Sequence, residues 1–333
     1  MSYIEASLIE TQQITISNHH TDLGIDNIRQ EVIQGLSSKQ KYISSKYFYN
    51  DKGSKLFEEI TQLPEYYPTR TEKSILKKIA PELMSNIKDI DIVELGSGDC
   101  SKINILLKSI KEENLKSINY IPVDVSLSAI QNSADRLIEL YPNLSIKGLV
   151  ADFINQFDIL PNDKKRMFCF LGSTLGNFTE EISHKFLREL SLNMNKGDSF
   201  LLGIDLVKPL QVLHDAYNDS RNVTANFNKN ILSVINELIE SDFNETDFDH
   251  KAFFNKEKSR IEMHLIAKLD VVVSSPFSQS KIIINKGENI HTENSHKYSQ
   301  EKIQSIKEYT NLNIQQIYTD KNNWFSLILF NKL

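Results

Sequence analysis

The sequence predicts an α/β protein, a parallel sheet covered by helices on both faces and joined to a second, smaller α+β unit. Short apolar runs alternate with helical stretches from Ile90 to Ile204, the rhythm of strands that cross over through helices. One of these runs, Val93-Glu94-Leu95, ends in the turn Gly96-Ser97-Gly98-Asp99, where the backbone can approach a ligand closely. After Asp205 the rhythm breaks into Asn-rich helical segments and isolated strand runs. An insertion therefore interrupts the sheet.

In chain order, residues 1–22 are polar and aperiodic, which predicts a flexible N-terminal arm. Residues 27–63 read as mostly helical, with Tyr47, Phe48, Tyr49, Leu56 and Phe57 forming an aromatic-rich surface, and Pro64 and Pro68 interrupt the pattern around Glu65 to Tyr67. Strands are expected at 90–95, 120–125, 146–151, 167–171 and 199–204, with helices at 103–110, 128–140 and 184–194. Thr179 reads as the N-cap of the last of these, with Glu180 and Glu181 in its first turn. Helices over 209–238 precede strand candidates at 260–273 and 281–284. A helix at 300–309 and strands at 314–318 and 324–330 then form an antiparallel hairpin that closes the sheet. Residues 23–70 and 207–296 are thus assigned to the smaller unit, and 71–206 with 297–333 to the sheet.

Composition narrows the function. A chain of 333 residues exceeds what one core comfortably supports. The net charge of -6 and pI near 5.8 lack the basic footprint of a nucleic-acid binder, so no nucleic-acid partner is expected. No apolar run is long enough to span a bilayer, and the polar N-terminal residues lack a signal-peptide core, so a cytoplasmic protein without a membrane partner is expected. Cys100 and Cys169 stand apart from any C-x-x-C pair and read as buried thiols. The eight histidines show no metal-ligand spacing, and no metal is expected.

The turn itself excludes two cofactor classes. A dinucleotide fingerprint needs a third glycine where this chain has Ser101, and no G-x-x-x-x-G-K-[ST] run exists. A cofactor without a pyrophosphate fits better, although such a turn also serves simply to close a strand–helix corner.

Five stretches together carry a resemblance: Tyr47-Phe-Tyr-Asn-Asp-Lys-Gly-Ser54, Leu63-Pro-Glu-Tyr-Tyr-Pro-Thr-Arg-Thr-Glu72, Glu94-Leu-Gly-Ser-Gly98, Leu171-Gly-Ser-Thr-Leu-Gly-Asn177 and Arg260-Ile-Glu-Met263. They resemble the L-histidine Nα-methyltransferases of ergothioneine biosynthesis from about Tyr47 onward, and the second stretch is the most specific. The resemblance implies a Rossmann-like class I methyltransferase sheet with an α+β substrate domain; a monomer is expected. It further implies S-adenosylmethionine as methyl donor, and three successive transfers to the α-amine of L-histidine, giving hercynine.

On the donor side, fold logic and the resemblance set Gly96 and Gly98 along the cofactor's amino-acid portion, with Lys102 at its carboxylate. Asp124 is expected at the ribose, and Asp152 with Phe153 at the adenine. Asp124 and Asp152 also fit helix caps, and Lys102 a solvated helix charge. On the acceptor side the resemblance gives a catalytic set of Tyr49, Asn177 and Gly172: Tyr49 and the Gly172 carbonyl orient the amine, while Asn177, Tyr66 and Tyr217 hold the carboxylate. Neutral donors suit that task, since a lysine near the sulfonium would repel it. Glu293 and Ser295, two apart on one strand, would address the two imidazole nitrogens with Met263 against the ring. Tryptophan is the alternative acceptor, and a non-catalytic protein that binds S-adenosylmethionine or an amino acid is the reading from another class.

Overall fold

The computed structural model describes residues 7–11, 13–19 and 24–333. The chain opens with strands β1 (Ser7–Glu10) and β2 (Ile14–Asn18), helix α1 (Ile25–Ser37), the short strand β3 (Lys41–Tyr42) and helices α2 (Asp51–Thr61) and α3 (Tyr67–Met84). The alternating region follows as β4 (Ile90–Leu95), α4 (Ile103–Leu107), α5 (Glu112–Leu115), β5 (Ile118–Asp124), α6 (Leu127–Leu140), β6 (Ser145–Val150), β7 (Lys165–Phe170), α7 (Glu180–Asn193) and β8 (Ser199–Asp205). The insertion holds α8 (Leu210–Tyr217), α9 (Val223–Ile239), β9 (Phe248–Asn255), β10 (Arg260–Ala267), β11 (Val271–Val273), β12 (Ile282–Ile284) and β13 (Asn289–His296). Helix α10 (Gln300–Tyr309) and the hairpin β14 (Leu312–Thr319) and β15 (Phe325–Lys332) end the chain.

Among the described residues nine strands form the main sheet, in the order β1-β2-β6-β5-β4-β7-β8-β15-β14. From β2 to β8 every pairing is parallel, whereas β15 runs antiparallel to both β8 and β14. Residues Asp91 to Leu95 of β4 are all buried, the continuous run that a strand covered on both faces requires. One core cluster lies on the face covered by α3, α4 and α6, through Leu76, Leu106 and Ile130; the other lies under α7 and α10, through Phe186, Leu190 and Ile303. Side-chain caps at Ser126, Thr179 and Ser299 start α6, α7 and α10, each stabilising its helix by about 1 kcal/mol. Because β5 lies on one side of β4 and β7 on the other, the winding reverses at β4, which leaves a crevice above the carboxyl ends of these strands.

A four-stranded sheet, β3-β13-β10-β9, is packed by α9 through Phe227, Ile231 and Ile235 against Met263, Leu265 and Ile290. Among the described residues, the buried members of its core cluster come from 32–67 and 213–290, with Trp324 packed against them. In the β10–β13 register Ile261 faces Ser295 and Met263 faces Glu293, after which His264 pairs with His291, so Thr292 is an extra residue in β13. Such a bulge re-aims the side chains beside it. Thr292 turns its hydroxyl to the Met263 carbonyl at 3.0 Å and to Asn228 of α9 at 2.6 Å.

Three expectations need correction. The described part of the expected flexible arm is sheet: β2 pairs with β6, and Ile14 and Ile16 are buried at alternate positions, Ile16 fitting over Gly148. Residues 1–6, 12 and 20–22 of that stretch lie outside the described residues. Pro68 opens α3 instead of breaking the pattern, since a proline in the first helical turn forfeits no hydrogen bond. The run 260–273 is two strands, and β9 before it was not anticipated, because its buried Phe248 and Ala252 stand four apart among polar residues and hide the alternation.

Candidate active site

The carboxyl edge of the main sheet supplies the donor side. Gly96 and Gly98 have φ of 67° and 53°, left-handed values that favour glycine, and the space beside Gly98 is open. The Gly96 N–H donates to the Val123 carbonyl, which ties the turn to β5, and Ser133 of α6 donates to the Gly98 carbonyl. Asp124, the last residue of β5, accepts from the N–H groups of Gly98 at 3.3 Å and Ser126 at 3.0 Å. Burial pushes its carboxyl pKa up, and these backbone donors pull against that shift. The Phe153 ring lies 3.5 Å from where a Gly96 Cβ would stand, forming the far wall. Asp152 accepts from the Ile154 N–H and the Asn155 side chain, so its carboxylate stabilises its own loop, the capping alternative noted above. An open glycine cradle, a strand-end carboxylate and an aromatic wall fit an amino-acid-bearing nucleoside without a pyrophosphate.

Lys102, expected at the cofactor's carboxylate, is also engaged by the protein. Its ammonium lies 2.9 Å from Glu72, a residue with no exposed surface, whose second oxygen accepts the Gly172 N–H at 2.8 Å. Gly172 has φ of 85°, and a Cβ there would come within 2.7 Å of the Lys102 nitrogen. Glu72 of α3 thereby braces the donor side to the loop after β7.

That loop leads to the acceptor side. Asn177 ends the 3-10 turn Thr174–Asn177, and the preceding Gly176 lies so close to β13 that a Cβ would stand 3.1 Å from the His296 carbonyl. The absence of a side chain at Gly176 lets β13 approach the main sheet. Glu293, Ser295 and Met263 share one face of the β10–β13 pair, as the strand alternation anticipated. Burial pushes the Glu293 carboxyl up to about 7, against the pull of Lys297. Tyr66 and Tyr217 stand edge to face at 6.4 Å between ring centres. Tyr49 meets Phe57 and Phe227 edge-on and leaves 46% of its surface facing outward. Its phenol pKa is raised, first by desolvation of the phenol and then by the charge of Glu293. Tyr66 is raised in the same way, so both phenols stay protonated near neutral pH.

Beneath Tyr217 lies a network that the sequence reading missed. The Tyr217 phenol donates to Ser295 Oγ at 2.7 Å, and the Lys297 ammonium donates to Ser295 at 2.7 Å and to Tyr217 at 3.2 Å. Lys297 and Asp205 are buried and paired at 2.8 Å, and Asp205 also holds Lys208 and accepts from Tyr67 at 2.6 Å. Burial opposes ionisation of Asp205, yet the two lysines hold its carboxyl below the usual range. Lys208 is driven down to about 8 by burial, while Lys297 is raised, its own burial outweighed by Asp205. A cation thus lies beside Tyr217, one layer behind it, and shares the Asp205 carboxylate with Lys208. A signal existed, since 293, 295 and 297 continue one alternation.

On the small sheet Glu262, His264 and His291 bring ligand-type atoms within 4.8 Å of one another. Arg260 already satisfies one Glu262 oxygen at 2.6 Å and His264 faces the other at 3.2 Å, so the group reads as a hydrogen-bonded ion cluster.

A profile described as histidine-specific methyltransferase, SAM-dependent, matches residues 28–332. The chain belongs to that family. It is an S-adenosylmethionine-dependent methyltransferase with the Rossmann-like sheet expected of one. The histidine N-alpha-methyltransferase of Mycobacterium tuberculosis is 36% identical over 318 residues, covering 95% of this chain and 99% of that protein. Its counterpart from Mycolicibacterium smegmatis is 35% identical over 308 residues, covering 92% and 96%. Ergothioneine biosynthesis protein 1 of Schizosaccharomyces pombe is 29% identical over 71% of this chain and 32% of its own length. Among solved structures, a methyltransferase from Clostridium acetobutylicum aligns with 84% of this chain and 99% of its own at a TM-score of 0.47 and 11% identity. For this methyltransferase, the motif Leu63 to Glu72 acquires a physical reading. Arg70 clamps its turn through the Leu63 and Tyr66 carbonyls, Tyr66 stands against Tyr217, Tyr67 reaches Asp205, and Glu72 reaches Gly172.

Proposed function

We propose that this enzyme methylates the α-amine of L-histidine three times to hercynine, the first step of ergothioneine biosynthesis, and that it acts as a monomer. The observation that carries this reading is the shared face of β10 and β13: the Glu293 carboxyl, the Ser295 hydroxyl and the Met263 thioether converge there, with Tyr217 hydrogen-bonded to Ser295. A ring with two nitrogens satisfies both polar groups, which a wholly apolar pocket could not reward. The two mycobacterial relatives, named as histidine N-alpha-methyltransferases, support the same acceptor.

In this reading residues 23–70 and 207–296 form the substrate-binding domain, and 71–206 with 297–333 the cofactor domain. Gly96, Gly98, Asp124, Asp152 and Phe153 hold S-adenosylmethionine, with Lys102 shared between the cofactor and Glu72. When bound, this group supplies an electrophilic methyl on a sulfonium. The chain supplies position: Tyr66 and Asn177 hold the substrate carboxylate, and Tyr49 with the Gly172 carbonyl aims the amine lone pair in line with the methyl. Each transfer replaces one N–H by N–CH3 and releases one proton. Tyr49 keeps its own proton, so the ammonium proton must leave before attack. The sequence ends at the quaternary nitrogen, which has neither a proton nor a lone pair.

The test is mass spectrometry of the protein incubated with S-adenosylmethionine and all twenty amino acids together. Histidine carrying three added methyl groups is the expected product. Methylation of tryptophan instead would move the pocket assignment, and no methylation despite bound cofactor would favour the non-catalytic reading.

A further inference from the structure

Lys297 is buried with 1% of its surface exposed, and its ammonium has three protons and three acceptors: Asp205 at 2.8 Å, Ser295 at 2.7 Å and Tyr217 at 3.2 Å. No proton of Lys297 is left for a substrate. Ser295 Oγ receives one hydrogen bond from Lys297 and another from the Tyr217 phenol, which fills both of its acceptor positions. Its own hydroxyl proton is the one group it still has to offer.

We propose that Lys297 is a positioning and specificity-determining residue, which by saturating Ser295 as an acceptor makes that hydroxyl an obligatory donor to an unprotonated ring nitrogen. This rests on the histidine reading and sharpens it. The form recognised is the neutral imidazole, in the tautomer whose N–H faces Glu293 and whose lone pair faces Ser295. An indole has one ring N–H and no ring acceptor, so it would satisfy Glu293 and leave the Ser295 proton unpaired in a buried site, a penalty that disfavours it. The arrangement also spends the Tyr217 proton on Ser295, so Tyr217 orients the selecting hydroxyl instead of gripping the substrate carboxylate.

Asp205 explains why the lysine can serve this role. The carboxylate is also held by Lys208 and Tyr67, so loss of Lys297 does not orphan it.

The test compares the enzyme with Lys297→Met, which keeps most of the length of the side chain and removes its donors. The readouts are S-adenosylhomocysteine affinity by calorimetry, and kcat and KM for histidine and tryptophan. The expected result is a histidine KM about tenfold higher or more, kcat within about threefold, S-adenosylhomocysteine affinity within about twofold, and histidine-over-tryptophan preference reduced by the same factor as KM rises. Tyr217→Phe, which leaves both charges in place, carries the same expectation for preference and decides the matter if Lys297→Met does not fold. An unchanged histidine KM in folded Lys297→Met, equal losses for both amino acids, or an unchanged preference in Tyr217→Phe would overturn the proposal while leaving the histidine reading intact. A wild-type enzyme that does not use histidine would overturn the histidine reading itself, and the proposal with it.

Discussion

The two sides of the cleft are built by different means. The donor side is mostly backbone: two left-handed glycines, N–H groups from Gly98 and Ser126, and one carboxylate at the end of β5. The acceptor side is mostly side chain, on an antiparallel strand pair with a bulge at Thr292 and a buried ion network behind it. A backbone cradle is fixed by the sheet and tolerates few variations. A face of side chains can change its chemistry one residue at a time, which is why the proposed choice of acceptor is assigned to the second side.

The largest effect that would blur this division is loss of the brace between the sides. Glu72→Ala leaves the Lys102 ammonium and the Gly172 N–H without their buried partner, and a loss of about 3 kcal/mol in unfolding free energy is expected in urea titration. A change below about 1 kcal/mol would mean that Glu72 is no brace. Next, Asp124→Ala should weaken S-adenosylmethionine binding by about 10- to 100-fold in calorimetry, the loss of charge-assisted bonds, without altering acceptor preference. An unchanged cofactor affinity would remove Asp124 from the donor side.

Protonation provides a milder probe of the acceptor side. Glu293 has a carboxyl raised to about 7 by burial, with Lys297, Tyr49, Tyr66 and Tyr217 around it. As pH falls through 7 the carboxylate gains a proton and stops accepting an imidazole N–H. Histidine kcat/KM is therefore expected to fall by up to about tenfold per unit on the acid side of 7, beyond any loss due to the amine, and Glu293→Gln should flatten that part of the profile. An identical acid limb in the variant would assign it elsewhere. Smallest of all, Gly176→Ala should press on the His296 backbone and raise histidine KM a few-fold while sparing cofactor affinity. Equal losses on both sides would show the contact to be a general support.

Much of this was legible in the sequence for a physical reason. Strands β4, β7 and β8 are buried along most of their length and so appear as largely apolar runs, and Gly96 and Gly98 mark a turn that needs positive φ. Strand β1 was hidden because it is short, and β2 and β9 because polar residues stand between their buried ones. Glu293 and Ser295 followed from strand alternation together with the resemblance, and Tyr49, Tyr66 and Tyr217 from the resemblance alone. Lys297 lay in the same run yet went unread, since a lysine in a polar stretch is ordinarily solvated. Only the tertiary approach of Asp205, distant in sequence, keeps that charge buried. Glu72 was likewise seen as part of a motif without a partner, because Gly172 and Lys102 reach it only through the fold.

The central claim is that acceptor choice resides on the β13 face independently of the cofactor cradle. Calorimetric titration of Glu293→Ala with S-adenosylhomocysteine, and then of that complex with L-histidine, tests it most directly. The account predicts cofactor-product affinity within about threefold of wild type and histidine affinity about 10- to 100-fold weaker, the worth of one charge-assisted hydrogen bond. Histidine binding at wild-type strength, or an equal fall in both affinities, would contradict it.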